Sequence, residues 1–263
     1  MKKALKIPAW LYPFLSVFFW IALWWLIASL YGKSVVLPTP LDTVKALLAL
    51  GKTGEFYLSV ALSLLRILLG ILIALVAGVL LALLTAKSAF ARHLFSPLLT
   101  LFKATPVASF IFLLLLWVGR NYIPLLIAFM MALPIVWANL HEGLMQTDRR
   151  LLEMARVFGV PKKRVLWQIR IPSLAPYFLA ASRSAISLAW KAGIAAEVLC
   201  TPDHSIGRAI FEGKLYLMTE EMFAWTAVVL LISILIERGV LALLGRTKGK
   251  TSARQEENKE VAT

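Results

Sequence analysis

Six apolar runs, each long enough to cross a lipid bilayer, constrain this chain more than any other feature of its sequence. A membrane-spanning helix needs about 20 predominantly apolar residues, and the runs cover residues 10–31, 57–84, 97–118, 122–144, 176–199 and 222–244. The composition agrees with this interpretation, since 60% of the 263 residues are hydrophobic. The sequence therefore predicts an all-α integral membrane protein with six transmembrane helices.

The distribution of basic residues predicts how these helices are oriented. The chain carries 28 Lys and Arg against 14 Asp and Glu, a net charge of +14. In a soluble chain this excess would suggest nucleic-acid binding, but membrane proteins concentrate Lys and Arg in their cytoplasmic loops. With the N-terminus inside, most basic residues fall in the inner segments. We therefore expect no nucleic-acid partner, a multi-pass protein of the plasma or inner membrane, and two cytoplasmic termini.

The first apolar run follows three lysines, as in a secretory signal peptide. It is too long and too rich in Trp for such a peptide, and no A-x-A cleavage site follows it. We expect it to be retained as the first span. Residues 1–56 then form a cytoplasmic tail, this helix and an outer loop, residues 57–245 form the five-helix core, and residues 246–263 form a disordered cytoplasmic tail.

Residues 147–172 are strongly charged but patterned like packed helix, so they must lie outside the lipid. Thr147 or Asp148 can cap a first helix, and Gly159 stands where a helix end favours positive φ. Pro161 suits the first turn of a second helix, and Pro172 is expected to end it. The pattern predicts a helix, a tight turn and a second helix on the cytoplasmic side.

Within this hairpin, six residues resemble the E-A-A-x3-G-x9-I-x-L-P loop of ABC importer permeases: Glu153, Ala155, Gly159, Ile169, Ile171 and Pro172. Met154 in place of alanine and Ile171 in place of leucine depart from the pattern. The resemblance implies that the segment is a coupling helix seated on a cytoplasmic ATPase, with coupling contacts from Glu153, Ala155, Gly159, Ile169 and Pro172. The alternative is an ordinary amphipathic hairpin in which glycine and proline only mark turns.

The same resemblance implies a fold and a set of partners. The expected fold is a type I ABC importer permease-like bundle, working with two copies of an ATPase subunit, a second permease chain in a homodimer and an extracytoplasmic substrate-binding protein. Residues 64–70 and 195–197 are similar to segments of the nitrate, sulfonate and taurine branch. The implied function is import of a small anionic solute of that kind.

Charged side chains inside the predicted spans are costly and need a partner, water or a route to the surface. Arg66 shares a helical face with Ser59, Ser63 and Gly70 in the second span, and in the fifth span Arg183, Ser187 and Lys191 recur every four residues, near Glu197. One interpretation is that Arg66, Arg183, Ser187, Lys191 and Glu197 line a translocation path. The other interpretation is structural. The charged ends of long basic side chains then reach the membrane–water interface, and Arg66 or Lys191 pairs with Glu197.

The sequence lacks the motifs expected for ATP hydrolysis, for hydrolase or metalloprotease activity and for metal binding. Three Gly-Lys-Ser/Thr triplets occur, but none has the upstream glycine of a phosphate-binding loop, and no hydrolase or metalloprotease motif appears. The single cysteine and three dispersed histidines give no metal-site spacing. We expect no enzyme activity and no cofactor in this chain, with ATP hydrolysed by a separate subunit. A secondary transporter or channel driven by an ion gradient remains the alternative function.

Smaller features complete the prediction. Pro106 and Pro134 lie inside the third and fourth runs, where they favour kinks. On the outer side we expect short helices at residues 41–50 and 206–217.

Overall fold

The computed structural model describes residues 11–260, and all regular elements within that range are helices. In chain order they are α1 (Leu11–Tyr31), α2 (Pro40–Leu50), α3 (Gly54–Lys87), α4 (Ala89–Ala104), α5 (Val107–Leu114), α6 (Ile123–Met145), α7 (Arg149–Val157), α8 (Lys162–Val165), α9 (Ile171–Cys200), α10 (Ile206–Leu215) and α11 (Thr219–Glu260). A π-helical turn, Leu166–Arg170, joins α8 to α9. The predicted cytoplasmic N-terminal tail, residues 1–10, lies outside the described residues.

Four of the described helices are long and apolar enough to cross a membrane, namely α1, α3, α6 and α11. Counting the bent pair α4 and α5 as one span raises this number to five. The fifth predicted run lies within α9, whose Arg183, Lys191 and Glu197 make it less apolar than these helices. The prediction of an all-helical membrane protein is confirmed, whereas the count of six spans stays a prediction.

The third predicted span is not one continuous helix. Helices α4 and α5 meet at Thr105 and Pro106 with a bend of 105°. Proline disfavours helical backbone in the residue before it, and Thr105 is extended, with φ −80° and ψ 132°. The proline therefore breaks the helix rather than kinking it. Helix α6, in contrast, runs continuously through Pro134.

Helices α3, α6 and α9 form the centre of the bundle, and small residues allow their close approach. A Cβ atom at Gly70 would lie 2.3 Å from the Leu125 carbonyl oxygen of α6, and one at Gly78 would lie 2.6 Å from Val136 Cγ1. On α9, Ala181, Ala185 and Ala189 are fully buried. Packing of small residues at helix interfaces is typical of membrane bundles.

Two predicted chain boundaries differ from the structure. Pro172 does not end the second helix of the hairpin, because the backbone stays helical from α8 through the π-helical turn into α9. Pro172 directly follows the π-helical turn, where the regular i→i−4 hydrogen-bond pattern is already interrupted. At the other boundary, α11 continues to Glu260, where we expected a disordered tail from residue 246. Residues 261–263 of that tail lie outside the described residues.

Candidate functional site

The segment at residues 147–172 folds as the sequence predicts up to its turn. The Asp148 side chain caps α7 by accepting a 2.8 Å hydrogen bond from the Arg150 amide. Gly159 has φ +63°. Its N–H donates to the Arg156 carbonyl, and the Val160 N–H donates to the Ala155 carbonyl at 2.8 Å. These two bonds form a Schellman motif, which satisfies the last carbonyls of α7 and reverses the chain towards α8.

This segment, α7 to the π-helical turn, will be called the hairpin, and its surface combines exposed apolar and exposed basic side chains. The exposed apolar side chains are Leu151, Met154, Val157, Phe158, Leu166 and Trp167. The Phe158 side chain, for example, is 77% exposed. Exposed basic residues surround them, including Arg156, Lys162 and Arg164. Nothing in the described part of the chain covers this surface, and contiguous exposed apolar area of this kind marks an interaction site.

The predicted coupling residues occupy different positions within the hairpin. Glu153 and Gly159 are exposed, whereas Ala155 is only 3% exposed and packs inside. Ile169 is half-buried in the π-helical turn, and Pro172 is exposed at the start of α9. The structure thus places four of the five within the hairpin and Pro172 two residues beyond it, and the five do not share one face.

A second site joins α3, α9 and α10 through buried polar groups. Ser63 Oγ donates to Glu197 Oε2 at 2.7 Å and accepts from the Ile206 amide at 3.0 Å. The Gly207 amide donates to the same carboxylate oxygen at 3.2 Å. Arg66 Nη1 lies 3.9 Å from Glu197 Oε1. We call Ser63, Arg66, Glu197 and Gly207 the clasp.

The clasp requires glycine at position 207. A Cβ atom there would lie 2.3 Å from Glu197 Cβ and 2.4 Å from the Val198 nitrogen. Without it, the first turn of α10 reaches the carboxyl group, so that the positive end of the α10 helix dipole faces the Glu197 side chain. The Glu197 side chain is fully buried, and its Oε1 has no hydrogen-bond donor among the described residues.

The loop between α9 and α10 is held by a further polar cluster. Arg66 donates to the backbone carbonyls of Asp203, at 2.7 Å, and His204, at 3.3 Å. The Asp203 carboxylate accepts from Asn121 at 3.2 Å and forms ion pairs with Arg120 at 2.5 Å and Arg208 at 3.1 Å. The hydrogen bond from Asn121 and the charges of Arg120 and Arg208 hold the pKa of Asp203 below its usual range.

The five candidate path residues are therefore divided among three environments. Arg66 and Glu197 come together in the clasp at 3.9 Å, which agrees with the structural alternative for Arg66, and their role in a path stays a prediction. Arg183 pairs with Glu237 of α11 at 3.3 Å, and these two residues line a small cavity between α9 and α11 together with Ser187. Lys191 is exposed on α9 and forms no ion pair with any described side chain.

Sequence reasoning missed most of the loop cluster. Arg120 and Asn121 precede Asp203 by 83 and 82 positions, and none of the three carries a local pattern that marks it. Ser63 was recognised as part of a polar stripe, but nothing in the sequence identified Glu197, 134 positions away, as its partner.

Comparison with known proteins gives a consistent set of relatives. Residues 70–247 match a family model described as binding-protein-dependent transport system inner membrane component. The taurine transport system permease protein of Escherichia coli (strain K12) is 25% identical over 234 residues, covering 86% of this chain and 84% of that protein. A putative aliphatic sulfonates transport permease protein of Bacillus subtilis (strain 168) is 27% identical, covering 78% and 74%. The nitrate import permease protein of Synechococcus elongatus is 29% identical, covering 73% and 72%.

Proposed function

This chain belongs to the family of binding-protein-dependent transport system inner membrane components, as an ABC importer permease, and we propose that it forms the translocation path for a small anion. Its relatives are described as permeases for taurine, aliphatic sulfonates and nitrate. All three solutes carry a compact anionic group. Import driven by a separate ATPase replaces the alternative of a carrier driven by an ion gradient.

The hairpin is the proposed site of ATPase coupling. Its exposed apolar side chains and surrounding basic residues form a surface that needs a protein partner. We assign the coupling contacts to Glu153, Ala155, Gly159, Ile169 and Pro172. Because Ala155 is buried inside the hairpin, it supports the surface, whereas Glu153 is exposed and touches the partner.

The complete importer contains two copies of this chain, two ATPase subunits and an extracytoplasmic substrate-binding protein. Closure of the ATPase pair on ATP moves the two hairpins. The continuous helical backbone from α8 through α9 supports this step, because a rigid helix transmits displacement without absorbing it. Both termini and the hairpin lie in the cytoplasm in this arrangement.

The proposed path runs along α9. Lys191 is exposed in the last third of α9, on a side of the helix that no described residue covers, and a bare ammonium is costly in lipid. We therefore place it against the second copy and the path, where it attracts the anion. Ser187 lies one turn away on the same helix. Arg183 is neutralised in part by Glu237, and Arg66 and Glu197 stand at the outer end of the path.

The uncovered hairpin surface is the observation that carries this proposal, and affinity purification tests it. The tagged chain, extracted gently from its native membrane, should bring down a nucleotide-hydrolysing subunit. Phe158→Ala should reduce the recovered ATPase at least about fivefold, because exposed aromatic anchors dominate interface energies.

Phe90 of α4 provides a matched control, since Phe90 and Phe158 are both 77% exposed. Phe90→Ala should recover the ATPase at the wild-type level. Equal recovery with Phe158→Ala and Phe90→Ala would remove the hairpin from the interface.

The path assignment has its own test in ATP-driven uptake by reconstituted vesicles. Lys191→Gln should lower uptake of a sulfonate or nitrate about tenfold or more, since one unit charge near the anion is lost. Lys52→Gln, which removes an exposed charge from the turn between α2 and α3, should leave uptake unchanged. Unchanged uptake by Lys191→Gln would contradict the path assignment.

A further inference from the structure

The first turn of α10 is held in the bundle by two backbone amides. Ile206 donates to Ser63 Oγ and Gly207 donates to Glu197 Oε2, while Ser63 itself donates to the same carboxylate. All four residues are buried. The seat of α10 therefore depends on one hydroxyl of α3 and one carboxylate of α9.

Arg66 stands between two sets of acceptors. Its guanidinium donates to the Asp203 and His204 carbonyls of the loop, and its Nη1 is 3.9 Å from Glu197 Oε1. That oxygen is buried and accepts no hydrogen bond from the described residues. A buried acceptor without a donor is costly. A displacement of about 1 Å would bring Nη1 within ordinary hydrogen-bond distance of Oε1.

The loop itself is strained. Thr201 and His204 both have φ +44°, a left-handed backbone that residues with a Cβ adopt at a cost. They flank Pro202 and Asp203. The ion pairs of Asp203 with Arg120 and Arg208 fix the position of the loop. Such a conformation persists only while its surroundings impose it, so release of the side-chain contacts favours rearrangement of the loop.

We propose that α10 and residues 201–205 form the outer gate of the path, and that the clasp is its latch. In the closed state Ser63 and Glu197 hold the first turn of α10, and Arg66 holds the loop carbonyls. On opening, α10 leaves the carboxylate and Arg66 moves from the loop carbonyls to Glu197, which keeps the buried charge paired. The latch rests on the proposed function, because it closes a path that runs along α9 past Lys191.

Cys200 reports directly on this gate. It is the only cysteine of the sequence. It ends α9 just before the loop, is only 5% exposed, and its Sγ lies 3.5 Å from the Arg120 carbonyl oxygen. Cys200 belongs to the buried cluster that includes Ile111 of α5 and Ile123 of α6. Asp203 of the loop is paired with Arg120, which precedes α6. Because lifting the loop breaks this pair beside the thiol, we expect a membrane-impermeant maleimide to label Cys200 faster in the open state. No other thiol of this chain has to be removed first.

The test uses the full importer complex in sealed vesicles, with maleimide added on the side that faces the binding protein. Ser63→Ala removes one hydroxyl and should speed labelling of Cys200 about tenfold. The reason is that the closed state loses the stabilisation of one hydrogen bond to a buried carboxyl group, so the open state is populated more often. It should also raise ATP hydrolysis in the absence of binding protein, because a loosened gate no longer waits for that partner. A residue with a merely structural role would lower the yield without raising hydrolysis per complex.

Ser59 supplies the matched control. It lies one helical turn before Ser63 on the same buried face of α3, and no hydrogen bond from its hydroxyl is present among the described residues. Ser59→Ala should label at the wild-type rate. Arg66→Lys, which weakens the hold on the loop carbonyls but keeps the charge, should also speed labelling and gives a second route if Ser63→Ala does not assemble.

Two results would overturn the latch. One is a wild-type labelling rate in both Ser63→Ala and Arg66→Lys, and the other is an equal increase in Ser59→Ala. Failure of the proposed function is read separately from the wild-type complex. In that case no ATPase copurifies and binding protein does not stimulate hydrolysis, whatever the labelling rates of the variants.

Discussion

The clasp and the hairpin differ in which side chains they bury: the clasp buries polar groups, whereas the hairpin exposes apolar ones. The clasp buries a carboxylate, a hydroxyl and most of a guanidinium, and supplies their partners from three helices of the same chain. The hairpin exposes apolar side chains such as Val157 and Phe158, and nothing in the described residues covers them. The clasp is thus complete within one chain except for one carboxylate oxygen. In the proposed importer, an ATPase subunit covers the hairpin.

The two glycines at these sites show the same difference. Gly207 is required because α10 and α9 touch there, and its φ is ordinary. Gly159 is required for its φ of +63°, although a Cβ atom would meet nothing within 4 Å. Substitutions at the clasp should therefore act through packing and stability. Substitutions in the hairpin should act through backbone geometry and partner binding.

The largest effect is expected for Gly207→Ala. Its new methyl group would lie 2.3 Å from Glu197 Cβ, so α10 must shift, and overpacking of this kind costs about 3 kcal/mol. The midpoint of thermal unfolding in detergent should fall accordingly. Gly213→Ala in the same helix, where the nearest atom is 3.1 Å away, should cost far less. Similar midpoints for both variants would show that the clasp is not tightly packed.

Next in size is the pair Glu197→Gln and Glu153→Gln, which makes the same change in a buried and an exposed side chain. Glu197→Gln weakens hydrogen bonds to a buried charge and should lower the free energy of unfolding by about 2 kcal/mol. Glu153→Gln should leave that free energy unchanged but reduce ATP-driven uptake. Chemical denaturation and vesicle uptake measure the two quantities. The contrast between the regions fails if Glu153→Gln is the more destabilising change.

Gly159→Val should affect stability less than either clasp substitution. Forcing a β-branched residue to positive φ costs about 1–2 kcal/mol and opens the Schellman turn locally. Membrane insertion should be unaffected, while uptake coupled to ATP should be lost. Gly54→Val should retain uptake, because φ at Gly54 is ordinary and a Cβ atom there would also meet nothing within 4 Å. Normal uptake by Gly159→Val would sharply reduce the case for coupling through this turn.

The smallest effect concerns pH and the Asp203 cluster. Because its partners lower the pKa of Asp203, the ion pairs stabilise the fold above the usual aspartate pKa, and this contribution is lost as pH falls through the lowered value. Wild type should unfold at a higher temperature than Asp203→Asn at pH 7, and the difference should shrink below about pH 4. A difference that grows on acidification would contradict the assignment of charge.

Local patterns predicted local structure well. The outer helix expected at 206–217 is α10, the piece expected at 41–50 lies within α2, and Gly159 adopts positive φ at the end of α7. Each of these depends on residues within a few positions of one another. The same local rules were wrong at Pro172, because the π-helical turn before it lets α8 continue into α9.

The sequence by itself determined that the chain is apolar and helical, because hydropathy and helix caps depend on neighbouring residues. It also predicted that one charged hairpin stands outside the lipid. Only the tertiary structure decided which charges meet. Arg66 and Glu197 are 131 positions apart, and their pairing depends on how closely α3, α9 and α10 approach one another. Small side chains set how closely these helices approach, and a local sequence pattern does not indicate which distant residues they pack against. The clasp is therefore seen only in the folded chain.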